Sequence, residues 1–347
     1  MKHSLYLSTG LLILTLMLTS CEALFIRPDR GTTPAEIFEE AWTFADQEYS
    51  FFGFKNINWE EVRTRYETRI QDSMTDEALF EVIADMLYEL RDGHVNLSSD
   101  FNVSRNWTWY LNSPPNFNYS VLERGYFKQQ ETFTGSFVVY DFGDVGYIRY
   151  SAFTSPISEA DLDYVLTKFR DHTGIIIDIR DNGGGALVNA TNFARRFTDQ
   201  EVVVGSWRFK NGPGHEDFTD LEDIRLTPPD STGFGPSKTA PVLFTGKVAV
   251  LTNRSSYSAA NFFPMYMKAL PNVTLVGDTT GGGGGAPANT ELANGWGIRV
   301  SASQLFDDAG VNVEDGIPPD VQVNLDPADE ANLVDTILER ALALIRQ

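Results

Sequence analysis

The stretch Gly174-Ile-Ile-Ile-Asp-Ile-Arg180, followed by Asp181-Asn-Gly-Gly-Gly185 and a helical pattern over 186–197, decides the fold. Successive isoleucines at 175–177 beside turn formers read as a fully buried strand, and the glycine loop opens the helix behind it. Upstream, 137–140 and 145–150 read as strands joined at Gly143-Asp144, and a helix runs from Ser158 to about Arg170. The spacing of Ser158 to Asp161 has the form of a capping box. Downstream, 248–251 gives a second buried strand, a helix ends near Leu270, and 273–277 is extended again. Strand, helix, strand, glycine loop and helix form the βαβ grammar of an α/β layer.

Between the strand at 248 and its helix lies Thr252-Asn-Arg-Ser-Ser-Tyr-Ser258. The first N–H groups of a helix lack internal partners, so a negative charge developing beside Ser258 would meet donors already in place. The plainer reading, which this stretch by itself favours, is that Ser255, Ser256 and Ser258 cap that helix. The glycine loop at 183–185 has two readings as well. It lacks Gly-Lys-Ser/Thr and a spaced Gly-x-Gly-x-x-Gly, which weakens a nucleotide site and leaves an oxyanion pocket of exposed N–H groups.

Outward from this core, helices are predicted over 34–49, 59–70 and 75–90, forming a small helical subdomain. The third ends in Leu90-Arg-Asp-Gly-His-Val95, where Gly93 suits a left-handed cap and His94 sits on a turn between regular elements. Residues 198–240, with four prolines and several glycines, read as a long loop excursion able to cover a cleft. Strands are expected around 298–302 and 321–325, and 327–345 reads as one closing amphipathic helix.

With 48 acidic against 27 basic residues, the formal charge of −21 repels phosphate backbones and argues against nucleic-acid binding. At the other end of the chain, Lys2, the apolar run 5–18 and Thr19-Ser20 before Cys21 have the form of an export signal. Leu18-Thr19-Ser20-Cys21 resembles the bacterial lipoprotein cleavage box. Cys21 is the sole cysteine, which excludes an internal disulfide and suits a lipid site. The expected organisation is a signal at 1–20, a tether at 21–33, the helical subdomain at 34–97 and a core domain at 98–347. The mature chain is expected to be extracytoplasmic, anchored to the bacterial envelope by lipid on Cys21; Glu22 is compatible with an outer membrane.

Four ordered blocks, at 174–185, 248–261, Gly277-Asp-Thr-Thr-Gly-Gly282 and Gly316-Ile-Pro-Pro-Asp320, together with the upstream block at 90–95, resemble the C-terminal processing and tricorn-type serine peptidases. The resemblance implies a ClpP/crotonase-like α/β core of stacked βαβ units, with Ser258 as nucleophile and N–H groups near Gly184 and Ala259 as oxyanion donors. It implies hydrolysis of proteins or peptides without metal or organic cofactor. C-terminal processing members take a lysine from the glycine-rich block as base, and tricorn-type members take the upstream histidine. Gly283 stands where that lysine would be, so His94 is the better base. Glu314 is the nearest match to the tricorn-type orienting acid, and the orienting serine before the histidine is replaced by Gly93. Residues 98–136 are too short for the PDZ domain many members carry. Two other readings stay open on the sequence: an inactive binder of peptides or hydrophobic ligands on the same fold, and a structural envelope lipoprotein. The oligomeric state is open.

Overall fold

The computed structural model describes residues 32–105, 112–230 and 240–347. The export signal and Cys21 lie outside them. With elements numbered in chain order, the frame is a seven-stranded sheet in the order β14 (Val321–Gln322), β10 (Val273–Gly277), β9 (Lys247–Thr252), β6 (Gly174–Asp178), β5 (Val145–Arg149), β4 (Phe137–Asp141) and β3 (Thr132–Thr134). From β14 to β5 the strands run parallel; β4 and β3 return antiparallel. The apolar run of β6 is continuous because both faces of the sheet are covered. Ile175 and Ile177 share a core with Phe169, Ala190 and Phe263, whereas Ile176 shares one with Ile337 and Leu342.

Three helices supply the first layer: α4 (Glu159–Lys168), α5 (Leu187–Ala194) and α6 (Ala259–Lys268). The capping box at the start of α4 is formed by Ser158 and Asp161 as its spacing suggests. The opposite layer is α8 (Thr336–Arg346). The single helix expected over 327–345 is two helices, because α7 (Pro327–Ala331) ends before the left-handed Leu333, φ 60°. Asp335 then restarts the helix, accepting from the N–H groups of Ile337 and Leu338 while pairing with buried Arg180 at 2.9 Å. Since Arg180 also holds Asp178 at 2.6 Å, the break ties the last helix to the C-terminal end of β6.

The N-terminal helices α1 (Pro34–Glu48), α2 (Trp59–Glu67) and α3 (Asp76–Tyr88) are capped by Thr33, Asn58 and Thr75. Their apolar faces, including Phe38, Trp59, Phe80 and Leu87, close over Trp296, Ile298 and Val300. Ile298 and Val300 belong to a second sheet, which Trp296 directly precedes, in the order β11 (Pro287–Glu291), β12 (Gly297–Ser301), β1 (Asn96–Ser98) and β2 (Val103–Arg105). A domain boundary at 97/98 therefore does not hold: it cuts through β1, and a segment two hundred residues later completes the core of the helical layer. The Ser50 hydroxyl, donating to the carbonyls of Ser301 and Ser303, fastens the same seam.

The loop excursion expected over 198–240 is also corrected. Within it, β7 (Val202–Phe209) and β8 (Glu222–Leu226) form a hairpin that pairs through β7 with β13 (Ser303–Asp307). The prolines that suggested a loop fall outside these strands, Pro213 in the hairpin connection and Pro228 beyond its end.

Candidate active site

Ser258 sits between β9 and α6 with φ 60° and ψ −122°, a conformation rare for any residue with a Cβ. Such backbone costs about 1–3 kcal/mol and persists only where its surroundings over-determine it. Here they do. The Ser258 N–H donates to the Gly282 carbonyl at 3.0 Å, the Tyr257 N–H to that of Asn182 at 3.0 Å, and the buried Ser256 hydroxyl to that of Ile179 at 2.9 Å. Asn253 adds a bond to the Asp181 carboxylate at 2.7 Å. The turn is thus clamped between two glycine-rich loops, and the capping alternative fails: the Ser258 side chain makes no cap bond to α6. Its hydroxyl is left at the helix N-terminus, free for chemistry.

Gly184 has φ +95° and lies so close to this turn that a Cβ would stand 2.6 Å from the Tyr257 carbonyl oxygen, 2.8 Å from the Ser258 Cβ and 3.0 Å from the Ala259 nitrogen. Both residues expected at the oxyanion pocket therefore meet at Ser258. They differ in what they offer, because the Gly184 N–H is already taken by the Asn182 side-chain oxygen at 2.9 Å. Ala259, first residue of α6, makes no such bond. Gly184 thus walls the pocket rather than donating into it. On the other side, Gly283 has φ +75°, and a Cβ there would come within 2.4 Å of the Tyr257 ring. At Gly283, matched in the sequence to the lysine of C-terminal processing peptidases, the space a side chain would need is filled by the Tyr257 ring. Lys247 and Lys268 are committed elsewhere, to the carbonyls of Ile345 and Pro318.

His94 reaches the same cleft, a cavity of about 500 Å³ lined by His94, Asn96, Arg105, Thr154, Gly183 to Gly185, Tyr257, Ser258 and Arg299. Its turn is not built on Gly93. Arg91 takes the left-handed conformation (φ 47°), and the Asp92 carboxylate accepts from the His94 N–H at 2.8 Å, a local Asx turn that removes the need for glycine. His94 is 8% exposed, and its imidazole meets the Tyr257 ring edge to face at 4.9 Å. Burial, with Arg299 and Lys55 adding to it, lowers its pKa to about 4 against the pull of Asp92 and the Gly285 carbonyl. At neutral pH the ring is a neutral base. Its Nδ1 is buried without a hydrogen-bond partner, and no hydrogen bond joins the ring to Ser258. Catalytic hydrogen bonds of this kind often tighten only when substrate is bound.

Glu314 is brought beneath this turn but not to the imidazole. One of its oxygens accepts from Lys55 Nζ at 2.9 Å and the other from the Gly284 N–H at 3.0 Å. Lys55 Nζ also lies 3.8 Å from Asp92 and donates to the Arg91 carbonyl at 3.1 Å. One buried cation thus serves two buried carboxylates. Burial raises Glu314 to about 7, with Asp92 adding to the effect against Lys55, whereas Lys55 and the His94 N–H hold Asp92 below its ordinary value despite its burial. The role of orienting acid hydrogen-bonded to the histidine is therefore not what Glu314 does here. No local pattern marks Lys55, whose partner is 259 residues away. Asp92, two residues before His94, did carry a local signal, that of an Asx turn.

A family model described as peptidase family S41 matches residues 144–323, and one described as the tricorn protease C1 domain matches residues 31–88. Among curated proteins, the chain is 27% identical over 186 residues to the chloroplastic C-terminal processing peptidase of Tetradesmus obliquus, a match covering 53% of this chain and 35% of the relative. It is 25% identical over 178 residues to the chloroplastic carboxyl-terminal-processing peptidase 2 of Arabidopsis thaliana, covering 51% and 31%. The chain thus spans about a third of the length of these curated relatives. Among solved structures, a candidate peptidase from Parabacteroides merdae superposes with a TM-score of 0.84 at 37% identity, over 91% of this chain and 97% of that one. The tricorn protease shares the fold at 17% identity and a TM-score of 0.56, over 90% of this chain and 36% of that one. Matched over just over half its length by the family model and nearly end to end by that structural relative, the chain belongs to peptidase family S41, a family of serine-type peptidases.

Proposed function

We propose that the protein hydrolyses peptide bonds of proteins or peptides through an acyl-enzyme on Ser258, with His94 as general base and the Ala259 N–H as an oxyanion donor. The observation that carries this reading is the Ser258 turn. A serine held in costly backbone geometry at a helix N-terminus, with its hydroxyl not spent on capping, shares one cleft with a neutral buried histidine. In the acylation step the Ser258 oxygen attacks the scissile carbonyl while its proton passes to the imidazole. The developing oxyanion is met by the start of α6, and the imidazolium returns the proton to the leaving amine. Water then repeats the sequence on the ester. Asp92, Lys55 and Glu314 position the turn that carries His94. A fluorophosphonate probe should label the folded protein at Ser258 and fail on Ser258→Ala; absence of labelling in the unmodified protein would favour a ligand-binding role.

The burial of His94 sets the expected pH profile. A histidine of ordinary pKa would lose activity below about 6.5. Here kcat/KM should hold through 6.5 and fall only as pH approaches about 4, the value to which burial lowers the ring. Over the same window the unfolded chain binds a proton that the folded ring refuses, so this group's contribution to stability falls as pH drops from 6.5 toward 4. Activity measured across that range, with recovery at neutral pH checked, separates titration from acid unfolding. An acid limb centred at 6.5 would contradict the buried base.

The placement proposed is an exported chain tethered through lipid on Cys21, supported by the apolar run at 5–18 and the box at 18–21. Cys21→Ala should abolish incorporation of a fatty-acyl label and leave the signal unprocessed, the uncleaved precursor being held only by its apolar run at 5–18. Unchanged labelling and processing would remove the lipid from the account.

A further inference from the structure

The second sheet presents a row of polar side chains to the catalytic cleft. In register across it stand Asn289 on β11, Arg299 on β12, Asn96 on β1 and Arg105 on β2. On β12, Ile298 and Val300 turn to the helical core, so the intervening Arg299 faces the other way, and Arg299, Asn96 and Arg105 all line the cavity that holds Ser258 and His94. Resting on the peptidase reading of that cavity, we propose that Arg299 and Arg105 form a subsite that takes a carboxylate of the substrate, placing an acidic group beside the scissile bond.

Three observations support the pair. Arg299 and Arg105 lie on either side of Asn96, two interstrand spacings or roughly 10 Å apart at the backbone, a span across which two long guanidinium side chains can converge on one anion. Asn96 does not compete for that anion, because its amide N–H₂ is turned back to the His94 carbonyl at 3.0 Å, which fixes the row relative to the base. Arg299 is half-buried beside a charge of its own sign: burial first, and Arg105 after it, hold its pKa below the ordinary value, and its Nε is buried with no hydrogen-bond partner. No ion pair among the described residues takes up Arg299, although the chain carries 48 acidic residues against 27 basic ones. A chain with acidic residues to spare that leaves a half-buried arginine unpaired at its catalytic cleft keeps that charge for something that enters the cleft. The general negative charge of the protein does not defeat such a site, since charges more than about 8 Å away are screened at physiological ionic strength while contact pairs are not.

The test uses the full-length protein near neutral pH, well above the value of about 4 to which burial chiefly holds His94. Peptides differing only in Glu against Gln at each position flanking the scissile bond, each made with a free C-terminal carboxylate and as the C-terminal amide, are compared by kcat/KM. At one position Glu should be preferred over Gln, or the free carboxylate over the amide, by at least ~10-fold. The two series tell a side-chain carboxylate from a terminal one. That ratio should collapse toward one in Arg299→Gln and in the Arg299→Gln/Arg105→Gln double variant. It should be partly kept in Arg299→Lys, which retains charge without the planar fork. Equal rates across both pairs in the unmodified protein, or a preference that survives in the double variant, would overturn the proposal. If no peptide is cleaved in a Ser258-dependent way, the peptidase reading has failed instead. The subsite is then judged by binding of the same Glu, Gln, acid and amide peptides to the Ser258→Ala protein, where equal affinities overturn it.

Discussion

Replacing Ser258 by alanine should lower kcat by on the order of 10⁴-fold or more, His94→Ala should fall to nearly the same level, and the double variant should be little worse than either. The three results belong together because nucleophile and base act as one unit: a hydroxyl with no acceptor for its proton is scarcely better than no hydroxyl. The structure narrows the choice of acceptor by position as well as by type. Lys247 and Lys268 spend their ammonium groups on distant carbonyls, and a side chain at Gly283 would run into the Tyr257 ring. His94 alone among these shares the cleft with Ser258. The fold should survive both replacements. Ser258→Ala keeps the strained backbone under the same clamps, and His94→Ala leaves untouched the bond from its own N–H to Asp92. Kinetics on a peptide substrate, with melting temperatures as the control, decide the matter. Substantial turnover by a folded His94→Ala protein would remove the histidine from the mechanism, and loss of turnover on replacing a lysine alone would assign the base to that lysine.

The parts of the fold that could be read from sequence are those whose physics is local. Ile175, Ile176 and Ile177 are apolar at successive positions because helices cover both faces of β6, and the glycine loop stands where strand must turn into helix. Ser158, Thr33 and Thr75 cap helices by contacts within three residues. What escaped was set by partners far along the chain. β7 reads as loop until β13, about a hundred residues later, supplies its ladder. The break in the last helix is invisible until Arg180 makes Asp335 both a cap and an ion-pair partner. At the site, Ser258 and His94 stood out through their ordered blocks, but sequence could not show that the imidazole is buried enough to titrate near 4, nor that Asp92 would replace Gly93 in shaping its turn. Glu314 was found by position and misjudged in its contacts, because Lys55 lies in a stretch that carries no motif.

Lys55→Met should be the most destabilising single change near the site. Its ammonium is buried between Glu314 at 2.9 Å and Asp92 at 3.8 Å, with side-chain exposures of 7%, 4% and 0%. Removing one member of a buried ionic group leaves uncompensated charge, at a cost of about 3–5 kcal/mol and a melting temperature lower by roughly 4–8 °C. The pH dependence gives the change a signature that simple loss of packing lacks. Glu314 in the folded protein already titrates at about 7, above its ordinary 4.5, so its contribution to stability is full below 4.5 and is lost as pH rises through 7. Without the lysine its folded pKa rises further, and the deficit relative to the unmodified protein should widen from acidic to mildly alkaline pH. Adding Glu314→Gln to Lys55→Met removes the unpaired charge while keeping an oxygen for the Gly284 N–H, and should recover a substantial part of the loss at alkaline pH. Calorimetric melting of the single and double variants across that range tests the account. A deficit that does not change with pH, or a double variant less stable than Lys55→Met alone, would mean that Lys55 contributes packing and carbonyl contacts rather than charge. The network would then not be what holds the His94 turn in place.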